Sequence, residues 1–138
     1  MKGLTLHQPW AWAVTDLGKD VENRMWPPPA HAIRREIAIH AGLRIDAGAV
    51  LHLRECGYDP PTQGWARGVV VAVAILGGVR APYSGDGGWH EFGCWGWVLA
   101  NVRVLREPVR CLGAQGLWTL PPDVEAAVRR QLEEVRRA

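Results

Sequence analysis

Lysine is nearly missing from this chain: Lys2 and Lys19 are its only two, although lysine and arginine together number 16. A composition so tilted to arginine is compatible with a GC-rich genome or with heat tolerance, and says nothing of function. Net charge is also scarce, at +2. That excludes a protein coated in phosphate contacts, so any nucleic-acid footprint must be a local patch with a shallow salt dependence. Cysteines are few and scattered: Cys56, Cys94 and Cys111 form no C-x-x-C. Neither a disulfide framework nor a zinc site is indicated, and a reducing cytoplasm fits best. His90 and Cys94, four residues apart, come nearest to a ligand pair and read as loop and core residues. We therefore expect no metal, and no motif asks for a cofactor. The longest apolar run, Gly68 to Val79, falls short of the roughly 18 residues a membrane helix needs. No signal peptide is read before it, and no membrane association is expected.

Aromatic usage is lopsided, with eight tryptophans against one phenylalanine. Most tryptophans pack in a core or on its rim, which leaves some free to meet a ligand. At 138 residues, 48% apolar and 22% charged, the chain reads as one globular domain spanning 1–138. That length suffices to bury roughly two thirds of the unfolded surface.

The stretch from Leu4 to Trp26 organises the rest. Leu4-Thr5-Leu6 is a short strand signal, and Pro9 sets a φ suited to a helix start. Trp10, Ala13, Val14 and Leu17 then form an apolar stripe at helical period, ended by Gly18. Trp12 lies about 200° around that helix from Trp10 and so off the stripe. From Lys19 to Arg24 the pattern alternates, with Asp20, Glu22 and Arg24 on one face and Val21 on the other. Glu22 and Arg24 stand roughly 7 Å apart at their α-carbons, within reach of a shared ligand or of each other. Their plainest reading is an ion pair, and that of Lys19 a cation near helix carbonyls.

Beyond the stiff run Pro27-Pro28-Pro29, residues 36–41 alternate, with Ile37 and Ile39 on one face and Ala38 and His40 on the other. Asp46 reads as the N-cap of a structural helix whose stripe is Ala49, Val50, Leu53 and Cys56, with Gly57 as its terminator. Arg67 to Gly77 reads as a strand covered on both faces, with a bend at Gly77-Gly78. The loop Ser84-Gly85-Asp86-Gly87-Gly88 opens no helix and matches neither phosphate-binding fingerprint, so it reads as a mobile connection, or a lid, rather than a phosphate cradle. Trp95, Trp97, Leu99 and Val102 to Leu105 form a strand with an aromatic wall, read as filling the interior. Val109 to Cys111 and Leu117 to Leu120 read as short strands. A last helix begins at Pro121-Pro122-Asp123, with Val124, Val128, Leu132 and Val135 as its buried stripe and Glu125/Arg129 and Glu133/Arg137 as surface pairs.

The motifs Leu-His-Gln-Pro-Trp-Ala at 6–11, Gly-Lys-x-Val-Glu-x-Arg-x-Trp at 18–26 and Ile-Ala-Ile-His-Ala at 37–41 resemble the ASCH domain of the PUA-like superfamily. Gly-Trp-Val-Leu at 96–99 and Gly-Leu-Trp-Thr-Leu-Pro at 116–121 extend the likeness over nearly the whole chain. The resemblance implies an α+β fold, a small β-barrel flanked by helices, with a cleft beside the Gly-Lys-x-x-Glu-x-Arg segment. It also implies an RNA- or modified-nucleoside-binding module. Its ligand, RNA or a small nucleotide or nucleoside, would meet Gln8, Trp12, Lys19, Glu22, Arg24, Trp26 and His40. His40 would join if its strand pairs with the one carrying Glu22 and Arg24. The alternative is a small amidohydrolase acting on an acylated nucleoside such as acetylcytidine, with Lys19 and Glu22 catalytic. Relatives of that kind use a threonine three positions after the lysine, and Glu22 departs from that pattern.

Overall fold

The alternation that marks Leu4–Leu6 and Ile37–Ile39 as strands also decides which face of the sheet each residue meets. In the computed structural model, which describes residues 1–84 and 87–137, six strands and three helices form: β1 (Lys2–Gln8), α1 (Trp10–Asp16), β2 (Val21–Arg24), β3 (Glu36–Ile45), α2 (Ala47–Glu55), β4 (Val69–Arg80), β5 (Trp95–Arg110), β6 (Leu117–Thr119) and α3 (Pro122–Arg137). A 3-10 turn, Ala30–Ala32, follows the proline run. Gly85 and Asp86, the middle of the loop read as a mobile connection, lie outside the described residues.

The strands make one mixed sheet in the order β2-β5-β4-β3-β1-β6. Only β1 and β3 run parallel. The α+β class holds, but the sheet does not close, so the expected barrel is corrected to a six-stranded open sheet. Its end strands are too short to meet: β2 spans four residues, and β6 covers only Lys2 to Leu4 of β1. Between β4 and β5 the register slips at Val70/Ala72, Val73/Ile75 and Leu76/Gly78. Each slip bends and twists the strands. Pro108 falls within one such slip, where a missing N–H costs no ladder bond, so β5 runs on to Arg110 and absorbs the Val109 segment read as a separate strand.

Both faces of the sheet are covered. Leu4, Leu6, Ile37, Ile39, Ala72, Leu76, Trp97 and Leu99 pack with Ala11 and Val14 of α1 on the inner face. On the outer face Ala38, Val70, Val73, Leu105 and Leu120 pack with Val124, Val128 and Leu132 of α3. Val135 is 68% exposed, so the stripe of α3 ends one turn earlier than its period suggests. Arg129 pairs with Glu125 at 2.8 Å. Asp46 caps α2 by accepting from the Ala49 amide at 3.0 Å, and Gly57 follows at φ +93. Cys56, counted in the stripe of α2, is exposed. Among the described residues no helix is long and apolar enough to cross a membrane.

Because Ile39 is fully buried and Val135 is not, truncating each to alanine should give unequal results in denaturant unfolding. Ile39→Ala should cost about 2–5 kcal/mol. Val135→Ala should stay within about 0.5 kcal/mol. Equal losses would contradict the assignment of α3's buried face.

Candidate functional site

Gly18, at φ +70, turns the chain out of α1 and directly into β2. The Lys19 amide still donates to Ala13 O at 3.0 Å, so the lysine is fixed to the end of the helix. In the β2–β5 ladder Glu22 stands opposite Trp97 and Arg24 opposite Trp95. Directly opposed residues share a face, and Trp97 belongs to the inner core, so both charged side chains stand on the inner side of the sheet.

Here the three charges converge. Lys19 Nζ lies 3.5 Å from Glu22 Oε1, and Arg24 Nε lies 3.1 Å from Glu22 Oε2. Lys19 also donates to Val21 O. Arg24 Nη2 donates to Thr5 O at 2.8 Å. Thr5 is the β1 residue just past the stretch that β6 covers, so the guanidinium ties β2 to β1 where no ladder does. Side-chain exposure is 2% for Lys19, 11% for Glu22 and 21% for Arg24. The cluster is thus graded from a buried ammonium to a guanidinium that reaches solvent.

Two indoles flank the lysine. Its Nζ is 5.3 Å from the Trp10 ring centroid and 5.8 Å from that of Trp89. Asn23 brings Trp89 there, donating to Trp89 O at 2.9 Å while its own side-chain oxygen accepts from the Glu91 amide at 2.8 Å. Trp10, Asn23 and Trp89 were missed as site residues; the stripe position of Trp10 and the loop position of Trp89 pointed to packing and a connector. Burial pushes the Lys19 ammonium below the usual lysine value. Glu22 and then Asp20 pull it back up, and Arg24 adds to the lowering. Burial, then Glu91 and Glu22, push the Cys94 thiol up, away from a thiolate.

Of the other predicted residues, Gln8, Trp12 and His40 sit elsewhere, and Trp26 follows Arg24 just past the end of β2. Gln8 is buried, its amide donating to Ala66 O at 2.8 Å and accepting from the Trp12 amide at 2.9 Å. Trp12, on the far side of α1 from Trp10, meets Trp65 edge-on at 6.1 Å. Trp26 is 53% exposed, and its carbonyl accepts from the Trp97 indole at 2.9 Å. The pairing expected of β3 with β2 does not form: β5 and β4 lie between them. His40 therefore does not join the cluster and occupies the outer face, as its alternation with Ile39 requires.

There His40 completes a bonded chain. Trp118 Nε1 donates to Thr5 Oγ1 at 3.0 Å, and Thr5 Oγ1 lies 3.1 Å from His40 Nδ1. His40 Nε2 lies 2.7 Å from Cys111 O. A carbonyl only accepts, so the ring carries a proton on Nε2, and in the neutral ring Nδ1 accepts from the Thr5 hydroxyl, which itself accepts from the indole. Burial lowers the pKa of His40, against the opposing effect of the Cys111 carbonyl. Gly113 lies over the pair, and a Cβ there would come within 2.6 Å of His40 Cε1. His90, read beside Cys94, bonds through Nε2 to the Cys94 carbonyl at 2.7 Å.

These elements define a small α+β domain in which a helix-to-strand turn delivers a Lys-Glu-Arg cluster to the inner rim of a bent sheet. The chain belongs to the ASCH domain family, whose model matches residues 4–108. It is similar in structure to the ASCH protein from Zymomonas mobilis, at 15% identity and a TM-score of 0.61, over 94% of this chain and 93% of that one. Two point variants of the same protein align comparably. One gives 16% identity and a TM-score of 0.60 over 94% and 96% of the chains. The other gives 15% and 0.56 over 94% of each. At such identities the likeness establishes the fold alone. No curated protein matches the chain.

Removing the carboxylate between two cations should be costly: Glu22→Gln should destabilise the domain by about 3 kcal/mol near neutral pH, because it strands a buried ammonium. A lysine whose folded pKa is lowered binds fewer protons than its unfolded counterpart between the two values, so stability rises with pH in that interval. Denaturant unfolding at several pH values should show Glu22→Gln recovering part of its loss as pH climbs toward the ordinary lysine value. A loss that is constant with pH would contradict a charged, buried Lys19.

Proposed function

We propose that this domain is an RNA- or modified-nucleoside-binding module, with its recognition groups at the junction of α1 and β2. The observation that carries this reading is the clamped carboxylate. Glu22 spends one oxygen on Lys19 and one on Arg24, so it acts as an anchor that fixes the guanidinium. Arg24 uses Nε and Nη2 internally, and its remaining N–H groups are free for a phosphate oxygen or a base edge. Trp26, two residues on, offers an exposed ring on which a base can stack, at about 1–3 kcal/mol. Lys19 works from behind, holding Glu22 in place. The general association of ASCH and other PUA-like domains with RNA supports the same reading.

A second reading, an amidohydrolase acting on an acylated nucleoside such as acetylcytidine, is favoured by one observation. Lys19 is made less basic by burial and touches a carboxylate, as a general base would require. Position 22 carries no hydroxyl, and its carboxylate is already engaged at both oxygens. Release of cytidine from acetylcytidine, lost in Glu22→Gln, would favour the enzyme over the binder.

For the binding reading, the eight indoles supply the signal. Titration with short RNA, modified nucleosides and nucleotides at low and moderate salt should quench or shift the emission. Arg24→Ala should weaken the response about 10-fold or more, as loss of a charge-assisted hydrogen bond does. Unchanged fluorescence with every ligand would overturn the reading.

A further inference from the structure

Four arginines outside the Lys-Glu-Arg cluster, Arg44, Arg54, Arg67 and Arg110, stand around neighbouring hollows. A hollow of about 630 Å³ lies between the end of β3, the start of β4 and the segment after β5, and Arg44, Arg67 and Arg110 stand around it. The buried His40 and its half-buried partner Thr5 form part of its lining, and Leu43 and Leu112, 70% and 87% exposed, form apolar lips. Arg67 is shared with a second hollow of about 540 Å³ beside α2, which adds Arg54 and Trp65. Pro61, Gly64 and Trp65 are shared in turn with a third, of about 250 Å³, lined by Trp12 and Val104. The three therefore adjoin in series, sharing walls, and make up one segmented depression.

Its charge is of one sign where it is widest. No acidic residue lines the first two hollows. Arg24, Arg103, Arg106 and Arg129 each hold a carboxylate, whereas among the described residues none pairs with Arg44, Arg54, Arg67 or Arg110. Four unpaired guanidiniums would repel one another, and an anion that passes from one to the next relieves that repulsion. Between them lie flat or apolar surfaces: the leucine lips, then Trp65 set edge-on against Trp12. Spaced negative charge joined to planar, apolar rings is the chemistry of a single nucleic-acid strand.

We propose that this depression is a track for single-stranded RNA, with phosphates at Arg110, Arg44, Arg67 and Arg54 and bases against Leu43, Leu112 and Trp65. It takes its ligand class from the reading above but uses none of the same residues. A chain of net charge +2 can support such a track because the charge is concentrated in one place. The first hollow alone would also admit a free nucleotide, so strand length is the deciding variable.

The test is fluorescence anisotropy of a labelled ten-residue oligouridylate, with uridine monophosphate and polyglutamate as competitors. Arg67→Glu and Arg110→Glu should each weaken oligomer binding at least 10-fold while leaving the thermal midpoint unchanged. At about 0.7 per phosphate, four contacts give a logarithmic salt slope near −3, and each reversed arginine should reduce it by about 0.7 or more. The oligomer should bind far more tightly than the monophosphate, and polyglutamate should not displace it. Wild-type affinity in both reversals, equal binding of monophosphate and oligomer, or displacement by polyglutamate would overturn the track. Arg24→Ala separates the two sites. Binding lost there and kept in both reversals would sink the track and leave the α1–β2 reading standing; the opposite pattern would do the reverse.

Discussion

A carboxylate placed between two cations, Glu22 between Lys19 and Arg24, is the constraint on which this domain depends. Taking an ammonium out of water costs several kcal/mol even after relaxation, and Lys19 is 2% exposed. That charge is tolerable because Glu22 lies beside it and Val21 O accepts from it. Two indole faces then shield it. The same carboxylate orients Arg24, and Arg24 reaches Thr5 O on β1. One ion network therefore does the work that a closing strand pair would do in a barrel: it joins the β2 edge to the β1 side of a sheet whose ladders leave a gap.

Thr5 is the hinge between the two faces. Its carbonyl accepts from the inner cluster, and its hydroxyl belongs to the outer chain of Trp118, His40 and Cys111. The inner cluster and the arginine-lined hollow are thus separated by little more than the thickness of β1. A substitution at Thr5 that keeps the backbone but removes the hydroxyl acts on the outer chain alone, which makes the two faces separable by experiment.

Much of this was legible in the sequence because it is local. Period-two alternation identified the β3 segment and the outward face of His40, a short apolar and β-branched run marked β1, a nearly continuous apolar run marked β4, and capping chemistry placed α2 from Asp46 to Gly57. The i, i+2 placement of Glu22 and Arg24 put them on one face, and the structure has them paired. What stayed hidden was non-local. Alternation states which way His40 points but not which strand lies beside β3, so its expected meeting with Glu22 failed once β4 and β5 took the intervening places. Val109 to Cys111 read as a separate short strand, yet Pro108 falls in a register slip where no N–H is needed, and β5 runs through it to Arg110. Val135 keeps the helical period of α3 and is nonetheless exposed, because period alone does not say how far along a helix its partner surface reaches. Arg44, Arg54, Arg67 and Arg110 come from four different segments, β3, α2, the connection before β4 and the end of β5, and no motif in one segment announces their cluster.

With only Lys2 and Lys19 to observe, the lysine side chains can be followed individually by NMR after labelling with ε-13C lysine, using Lys2 as the second resonance. The account predicts that Lys19 titrates below the ordinary lysine value and that Glu22→Gln lowers its midpoint further, since Glu22 is the strongest influence holding it up. A Lys19 midpoint at or above the ordinary value, or one indifferent to Glu22→Gln, would contradict the buried ion network and the account of Arg24 built on it.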